Sequence, residues 1–195
     1  CYMDKIAAGP EMEGHIALDA GVSYNIEQVA TVMDKPIDEV QIIALDRPRH
    51  HKLFKEINAL GAQLHTLSDG DIAAALWAAR PEGNYDMLLG IGAAPEGVIT
   101  ATAIRGIGGV FEGRLVFRSD AEEARAANMI DDDLTRLWSA RDLCQSDDAV
   151  FVASGVCDGY LPGVKINQDG TIGTFAEMID VASRKITRHD RIHNQ

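Results

Sequence analysis

The chain has 195 residues, 46% of them hydrophobic, so it is long enough to bury the core of an α/β domain. Its formal net charge of −12 disfavours nucleic acid and anionic membrane surfaces as partners, and no apolar run in the sequence is long enough to span a bilayer. The three cysteines, Cys1, Cys144 and Cys157, are odd in number and widely spaced, which argues against a disulfide framework and favours a reducing, cytoplasmic setting.

The amino-terminal part of the chain shows little periodicity. Residues 1–35 predict one helix, near 26–33, and are interpreted as a connecting segment. Residues 36–195 predict one α/β domain, with a mixed, mostly parallel sheet flanked by helices and antiparallel strands at the C-terminal end. Its first predicted elements are strand 40–45, a helix ending at Gly61, strand 63–67, helix 72–79, strand 87–91 and helix 95–104.

The pattern changes after Gly108 and Gly109. Here the sequence predicts strand 110–117, helix 121–129, a short helical stretch that starts at 131–133, and a buried strand over 150–156. The segments 164–166, 174–179 and 184–192 predict antiparallel strands that close the sheet, with a hairpin turn at Asp169 and Gly170.

Polar residues follow each of the first three predicted strands, and ligands of open α/β sheets bind beyond the carboxyl ends of parallel strands. After the first strand, Arg47 and Arg49 flank Pro48, which fixes the turn between them. Two planar guanidinium groups suit bidentate contacts to phosphate, although surface salt bridges are the alternative interpretation.

Asp69, Gly70 and Asp71 follow the second strand. The carboxylates could accept hydrogen bonds from sugar hydroxyls, and the glycine lets the backbone approach a ligand, but an aspartate here is also a preferred helix N-cap. The glycine-rich third loop, residues 90–97, lacks the ending of a P-loop. It carries Glu96, which could be a hard oxygen ligand for Mg²⁺ or Mn²⁺ or could complement the helix dipole. The histidines show no metal-ligand spacing, so we assign them no role.

Several long segments, in the right order, resemble the class II (GlpX-like) fructose-1,6-bisphosphatases, including the dual forms that also accept sedoheptulose-1,7-bisphosphate. The resemblance covers the carboxy-terminal portion of that family and is carried by residues 2–10, 45–50, 68–71 and 90–98, with weaker similarity at 106–109, 153–156 and 183–185.

The resemblance implies a role for most of these residues. Tyr2 is similar to a substrate-contacting tyrosine, and Arg47 and Arg49 to the pair that grips the phosphate remote from the reaction. The segment 69–71 resembles the sugar-facing loop of the family. Ala93 stands at a substrate-lining position where many relatives have glycine, and Glu96 resembles a ligand of the catalytic metal, Mn²⁺ or Mg²⁺.

The implied activity is metal-dependent hydrolysis of the 1-phosphate of fructose-1,6-bisphosphate to fructose-6-phosphate, in gluconeogenesis or a related pathway, by a cytoplasmic homo-oligomer. Relatives carry further metal-binding carboxylates in an amino-terminal portion, and residues 1–35 hold no replacement for them. We therefore expect little or no phosphatase activity from this chain alone. A non-catalytic sugar-phosphate-binding or regulatory domain is the alternative, whereas missing nucleotide motifs disfavour a kinase or dehydrogenase.

Overall fold

The computed structural model describes residues 1–194, and a six-stranded mixed sheet is its largest element. Its strands are β1 (Tyr2–Ala8), β2 (Gln41–Leu45), β3 (Gln63–Leu67), β4 (Met87–Ala93), β5 (Val110–Val116) and β6 (Trp138–Ser139). They lie in the order β3-β2-β4-β1-β5-β6. β2 pairs in parallel with β3 and β4, whereas β1 pairs antiparallel with β4 and β5.

Helices cover both faces of this first sheet. They are α1 (Val22–Val32), α2 (His51–Leu60), α3 (Asp71–Ala78), α4 (Ala94–Ile107), α5 (Asp120–Ala127) and α6 (Ala140–Leu143). The apolar residues of α1 and α2 form one buried cluster with the sheet, and those of α3 and α4 form another. Burial on both faces explains why β2 and β4 read as nearly continuous apolar runs. None of the helices in residues 1–194 is long and apolar enough to cross a membrane.

A second, antiparallel sheet contains the C-terminal strands. It consists of β7 (Val150–Ser154), β8 (Lys165–Ile166), β9 (Ile172–Asp180) and β10 (Ile186–His193), with β9 paired to the other three. The predicted antiparallel strands are therefore confirmed, but they form a sheet of their own and do not close the first one. Phe151 and Ile179 pack against Leu76 and Ala103, which belong to helices on the first sheet.

The predicted α/β class, with a mixed sheet flanked by helices, is confirmed, but three local predictions are wrong. The third strand does not end at residue 91, because β4 continues to Ala93 and α4 begins at Ala94, so the predicted glycine-rich loop is a direct strand-to-helix junction. No helix starts at 131–133, where the Asp133 carboxylate instead accepts hydrogen bonds from Thr135 in a turn. The strand near 150 is half-exposed, because β7 lies at the edge of the second sheet.

The boundary between a connecting segment (1–35) and a domain (36–195) stays a prediction. The structure places β1, from the first of these parts, between β4 and β5 in the first sheet. The strand contributes Ile6 and Ala8 to one buried cluster and Met3 and Ala7 to the other. This alternation follows from the two-residue period of side chains along a strand.

Candidate functional site

The segments singled out in the sequence meet along one edge of the first sheet. The parallel strands β2, β3 and β4 end there at Leu45, Leu67 and Ala93. Because β1 runs antiparallel to β4, its amino-terminal residue Tyr2 pairs with Ala93 at the same edge. The edge therefore collects the start of β1, the loops after β2 and β3, and the first turn of α4. We refer to it below as the carboxyl edge.

Arg49 connects three of these segments. Its Nε and Nη2 atoms donate to the Ile91 carbonyl oxygen at 2.9 and 2.6 Å, and its guanidinium lies 4.8 Å from the centroid of the Tyr2 ring. The stacking is a cation–π contact, which holds the planar group in place without using its remaining N–H donors. Arg49 thus presents Nη1 at the carboxyl edge for a further acceptor.

Arg47 connects the loops after β2 and β3. It precedes a short 3₁₀ helix, Pro48–His50, and its Nη1 donates to the Asp46 carbonyl oxygen at 2.9 Å. Its Nη2 lies 3.9 Å from Oδ1 of Asp69, whose side chain is 91% exposed. The salt-bridge interpretation therefore describes part of the environment of Arg47. An exposed pair of this kind contributes at most about 1 kcal/mol, so an anionic ligand could replace Asp69 at little cost.

Asp71 forms a buried ion pair that the sequence analysis missed. Its Oδ2 lies 2.5 Å from Nζ of Lys5, which also donates to the Ala93 carbonyl oxygen at 3.0 Å. Gly92 makes this contact possible, because a Cβ atom at that position would lie 2.0 Å from the Asp71 carboxylate. The signal in the sequence was a lysine on an apolar strand, at the same spacing as the buried Met3, since a buried charge requires a partner.

The helix-capping interpretation of the two aspartates is wrong. α3 begins at Asp71 itself, its N-cap is Gly70 with φ +91°, and no side chain caps it. Asp69 Oδ1 instead accepts a hydrogen bond from the Gly70 N–H at 2.9 Å. A Cβ atom at Gly70 would meet nothing within 4 Å, so the backbone of this turn is open to a ligand.

His50, to which the sequence analysis assigned no role, is 2% exposed and uses both ring nitrogens. Nδ1 lies 2.7 Å from the Leu45 carbonyl oxygen, and Nε2 accepts from the Ile91 N–H at 2.7 Å, so the proton is on Nδ1. Burial lowers the pKa of His50 and favours this neutral form. His50 therefore fixes the backbone on the amide side of Ile91, and Arg49 bonds the carbonyl oxygen of the same residue.

Close packing explains the glycine at position 90. Gly90 has φ +127°, and a Cβ atom there would lie 2.9 Å from the His50 ring. Any other residue would have to adopt a strained backbone conformation and displace the imidazole.

Glu96 lies in the first turn of α4, and its Oε2 atom is buried without a hydrogen-bond partner. Buried carboxylate oxygens are normally satisfied, so an unpartnered one fits a ligand of a hard divalent cation. Within residues 1–194, no group of three or more His, Cys, Asp or Glu side chains could hold a metal ion. Glu96 therefore belongs to no complete metal-binding group within the described residues.

The placement of the nine predicted site residues can now be stated. Tyr2, Arg47, Pro48, Arg49, Asp69, Gly70, Asp71 and Ala93 all belong to segments at the carboxyl edge, and Glu96 follows Ala93 by three residues. Direct contacts join Tyr2 to Arg49, and Arg47 to Asp69. Asp71 and Ala93 are joined through Lys5. Their roles toward a substrate stay predictions.

Comparisons with known proteins agree on one family. A family model described as bacterial fructose-1,6-bisphosphatase, glpX-encoded, matches residues 1–193. The chain is 34% identical over 205 residues to the D-fructose 1,6-bisphosphatase class 2/sedoheptulose 1,7-bisphosphatase of Synechococcus elongatus, covering 98% of this chain and 59% of the relative. It is 35% identical over 186 residues to the protein of the same name from Prochlorococcus marinus, covering 87% and 55%. The chain thus spans less than two thirds of the length of these relatives.

Proposed function

The chain belongs to the family of bacterial, glpX-encoded fructose-1,6-bisphosphatases, and we propose that it supplies the substrate-binding part of a metal-dependent sugar-bisphosphate phosphatase. The reaction is hydrolysis of the 1-phosphate of fructose-1,6-bisphosphate to fructose-6-phosphate, in gluconeogenesis or a related pathway. Sedoheptulose-1,7-bisphosphate is a second substrate in this proposal, because the Synechococcus and Prochlorococcus relatives are named for both the fructose- and the sedoheptulose-bisphosphatase activity. We further propose a cytoplasmic homo-oligomer.

The observation that carries the proposal is the basic character of the carboxyl edge in a strongly acidic chain. The protein has a formal net charge of −12, yet Arg47 and Arg49 stand together at the ends of parallel strands, with Tyr2 beside them. The Nη1 group of Arg49 and the partly exposed, weakly paired guanidinium of Arg47 are suited to charge-assisted hydrogen bonds with phosphate oxygens. These residues hold the phosphate that does not react.

The turn after β3 and the end of β4 face the sugar. Asp69 is exposed, and its carboxylate can accept hydrogen bonds from sugar hydroxyls beside the open backbone of Gly70. Asp71 contributes through Lys5, with which it fixes the Ala93 carbonyl group. Contacts to the sugar and the distal phosphate give binding energy remote from the reacting bond, and that energy orients the 1-phosphate.

Glu96 would hold the divalent ion, Mn²⁺ or Mg²⁺, through its unpartnered Oε2 atom. Such an ion, when bound, supplies charge stabilisation for the reacting phosphoryl group and promotes attack by water. The other ligands come from the part of the relatives that this chain does not cover. This accounts for the lack of a complete group of metal ligands among residues 1–194.

Titration calorimetry of the 195-residue chain with fructose-1,6-bisphosphate, with and without Mn²⁺, tests the proposal. We expect binding that Arg49→Gln weakens about tenfold, because a charge-assisted hydrogen bond contributes about 1.5 kcal/mol or more. Arg191→Gln, on the exposed strand β10, is the matched control and leaves the affinity unchanged. Equal binding by the parent and Arg49→Gln would contradict the assignment of the phosphate site.

The metal arm of the same titration separates the two candidate functions. The lack of a group of three or more candidate metal ligands within residues 1–194 favours a non-catalytic sugar-phosphate-binding domain as the alternative. Affinity that rises with Mn²⁺ in the parent chain, but not in Glu96→Gln, supports the phosphatase. An affinity that is the same with and without Mn²⁺ in both proteins supports the non-catalytic binding domain. Normal turnover by the 195 residues alone would contradict our expectation that this chain needs further ligands.

A further inference from the structure

The ring of Tyr2 lies between two guanidinium groups. Arg49 is 4.8 Å from the ring centroid, and Arg118, which the sequence analysis did not single out, is 4.7 Å from it. Arg118 follows β5, and β5 pairs with β1 so that Val116 lies opposite Tyr2. Arg118 therefore reaches the carboxyl edge from the β5 side of β1, whereas the Arg47–Arg49 loop follows β2, on the other side of β1.

Glu122 holds Arg118 in this position. Its Oε1 accepts from Nε and Nη2 of Arg118 at 3.0 and 2.5 Å, and its Oε2 accepts from the Arg118 backbone N–H at 3.0 Å. These bonds lower the pKa of Glu122 to about 2, so the carboxylate is ionised at any physiological pH. Ser119 caps the same helix turn through the Glu122 N–H. The hydrogen bonds to Glu122 therefore fix the orientation of the Arg118 guanidinium group, although the side chain is exposed.

The arrangement leaves donors for a ligand. Glu122 engages Nε and Nη2 of Arg118, and the Ile91 carbonyl engages the corresponding atoms of Arg49, so each group keeps its Nη1 amino group. A bound anion would be attracted by both guanidinium groups, with Glu122 offsetting part of the charge of Arg118.

We infer that Arg118 is a further phosphate-recognition residue, which stacks on the Tyr2 ring together with Arg49 and adds a third guanidinium group to the distal-phosphate site of Arg47 and Arg49. The inference rests on the proposed function, because it names the same site and deepens it. The ligand group is the phosphate monoester of a sugar phosphate. Arg118 acts through Tyr2 and through its charge, so it is a positioning residue for the phosphate.

The test uses the 195-residue chain and the variants Arg118→Gln and Arg118→Lys, with Arg125→Gln as the control. Arg125 is an exposed arginine on the same helix, so the control makes the same change of charge. Calorimetry with fructose-1,6-bisphosphate should show about tenfold weaker binding for Arg118→Gln and an intermediate loss for Arg118→Lys, which keeps the charge but not the planar group. Arg125→Gln should change the affinity less than twofold.

Three outcomes are informative. Tenfold weakening in Arg118→Gln, with an unchanged thermal midpoint and partial rescue by lysine, supports the inference, because a loss of fold would not be rescued by charge. Affinity within twofold of the parent for Arg118→Gln, while Arg49→Gln is impaired, overturns the role of Arg118 and leaves the proposed function standing. No binding by the parent chain itself overturns the proposed function and this inference with it.

Discussion

Replacing Asp71 by asparagine tests whether this residue serves the fold or the sugar. The substitution removes the charge that faces Lys5, which is 1% exposed, while the bond from Lys5 to the Ala93 carbonyl oxygen stays. Breaking a buried ion pair by removing one partner costs about 3–5 kcal/mol. We expect the lower end, about 3 kcal/mol, because the Asp71 side chain is 12% exposed and the asparagine oxygen can still accept a hydrogen bond.

Urea denaturation followed by circular dichroism measures the free energy of unfolding of Asp71→Asn against the parent. Asp69→Asn is the matched control, because it makes the same change two residues earlier on a side chain that is 91% exposed. We expect the control to stay within about 0.5 kcal/mol of the parent. The double variant Lys5→Met/Asp71→Asn removes both charges with little change in volume. It should recover most of the stability that Asp71→Asn loses, about 2 kcal/mol.

Equal stability of Asp71→Asn and Asp69→Asn would refute this reasoning. Lys5 would then not depend on the Asp71 carboxylate, and Asp71 would be available as a direct sugar contact. Calorimetry with fructose-1,6-bisphosphate distinguishes that case, because affinity would fall in Asp71→Asn while its free energy of unfolding stayed unchanged.

Two other buried groups can be tested by single substitutions. His50→Gln should weaken sugar-phosphate binding severalfold, since it releases the Ile91 N–H and loosens the residue whose carbonyl oxygen holds Arg49, whereas the exposed neighbour variant His51→Gln should bind as the parent does. Because burial lowers the pKa of His50 below its unfolded value near 6.5, the parent should lose stability as pH falls below about 6.5, and His50→Gln should lack that component in pH-dependent melts. Glu177→Gln should cost about 3–5 kcal/mol in urea denaturation, because it leaves Arg80 without the partner it meets at 2.7 and 3.0 Å; a loss below 1 kcal/mol would contradict this.

Local signals predicted most of the elements. The predictions of a strand over 63–67 and of a helix end at Gly61 rest on residues close together in the chain, and both are confirmed. Gly61 ends α2 with φ +86°. The hairpin turn at Asp169 and Gly170 between β8 and β9 is confirmed for the same reason. What periodicity could not supply was the assignment of strands to sheets. An apolar strand that joins the first sheet and one that joins a second sheet read alike, so the separate C-terminal sheet appeared only in the structure.

The same limit explains which site residues were missed. Arg47 and Arg49 follow the end of a parallel strand, where a general rule places ligands, and this made them visible in the sequence. Lys5 and Arg118 reach the carboxyl edge only because β1 runs antiparallel between β4 and β5. That pairing brings Lys5 against Asp71, which is 66 positions away along the chain, and Arg118 against Tyr2, which is 116 positions away. The sequence signals that Lys5 needs a partner, but the contacts that bring these charges into the candidate site follow from strand order and can be assigned only where that order is known.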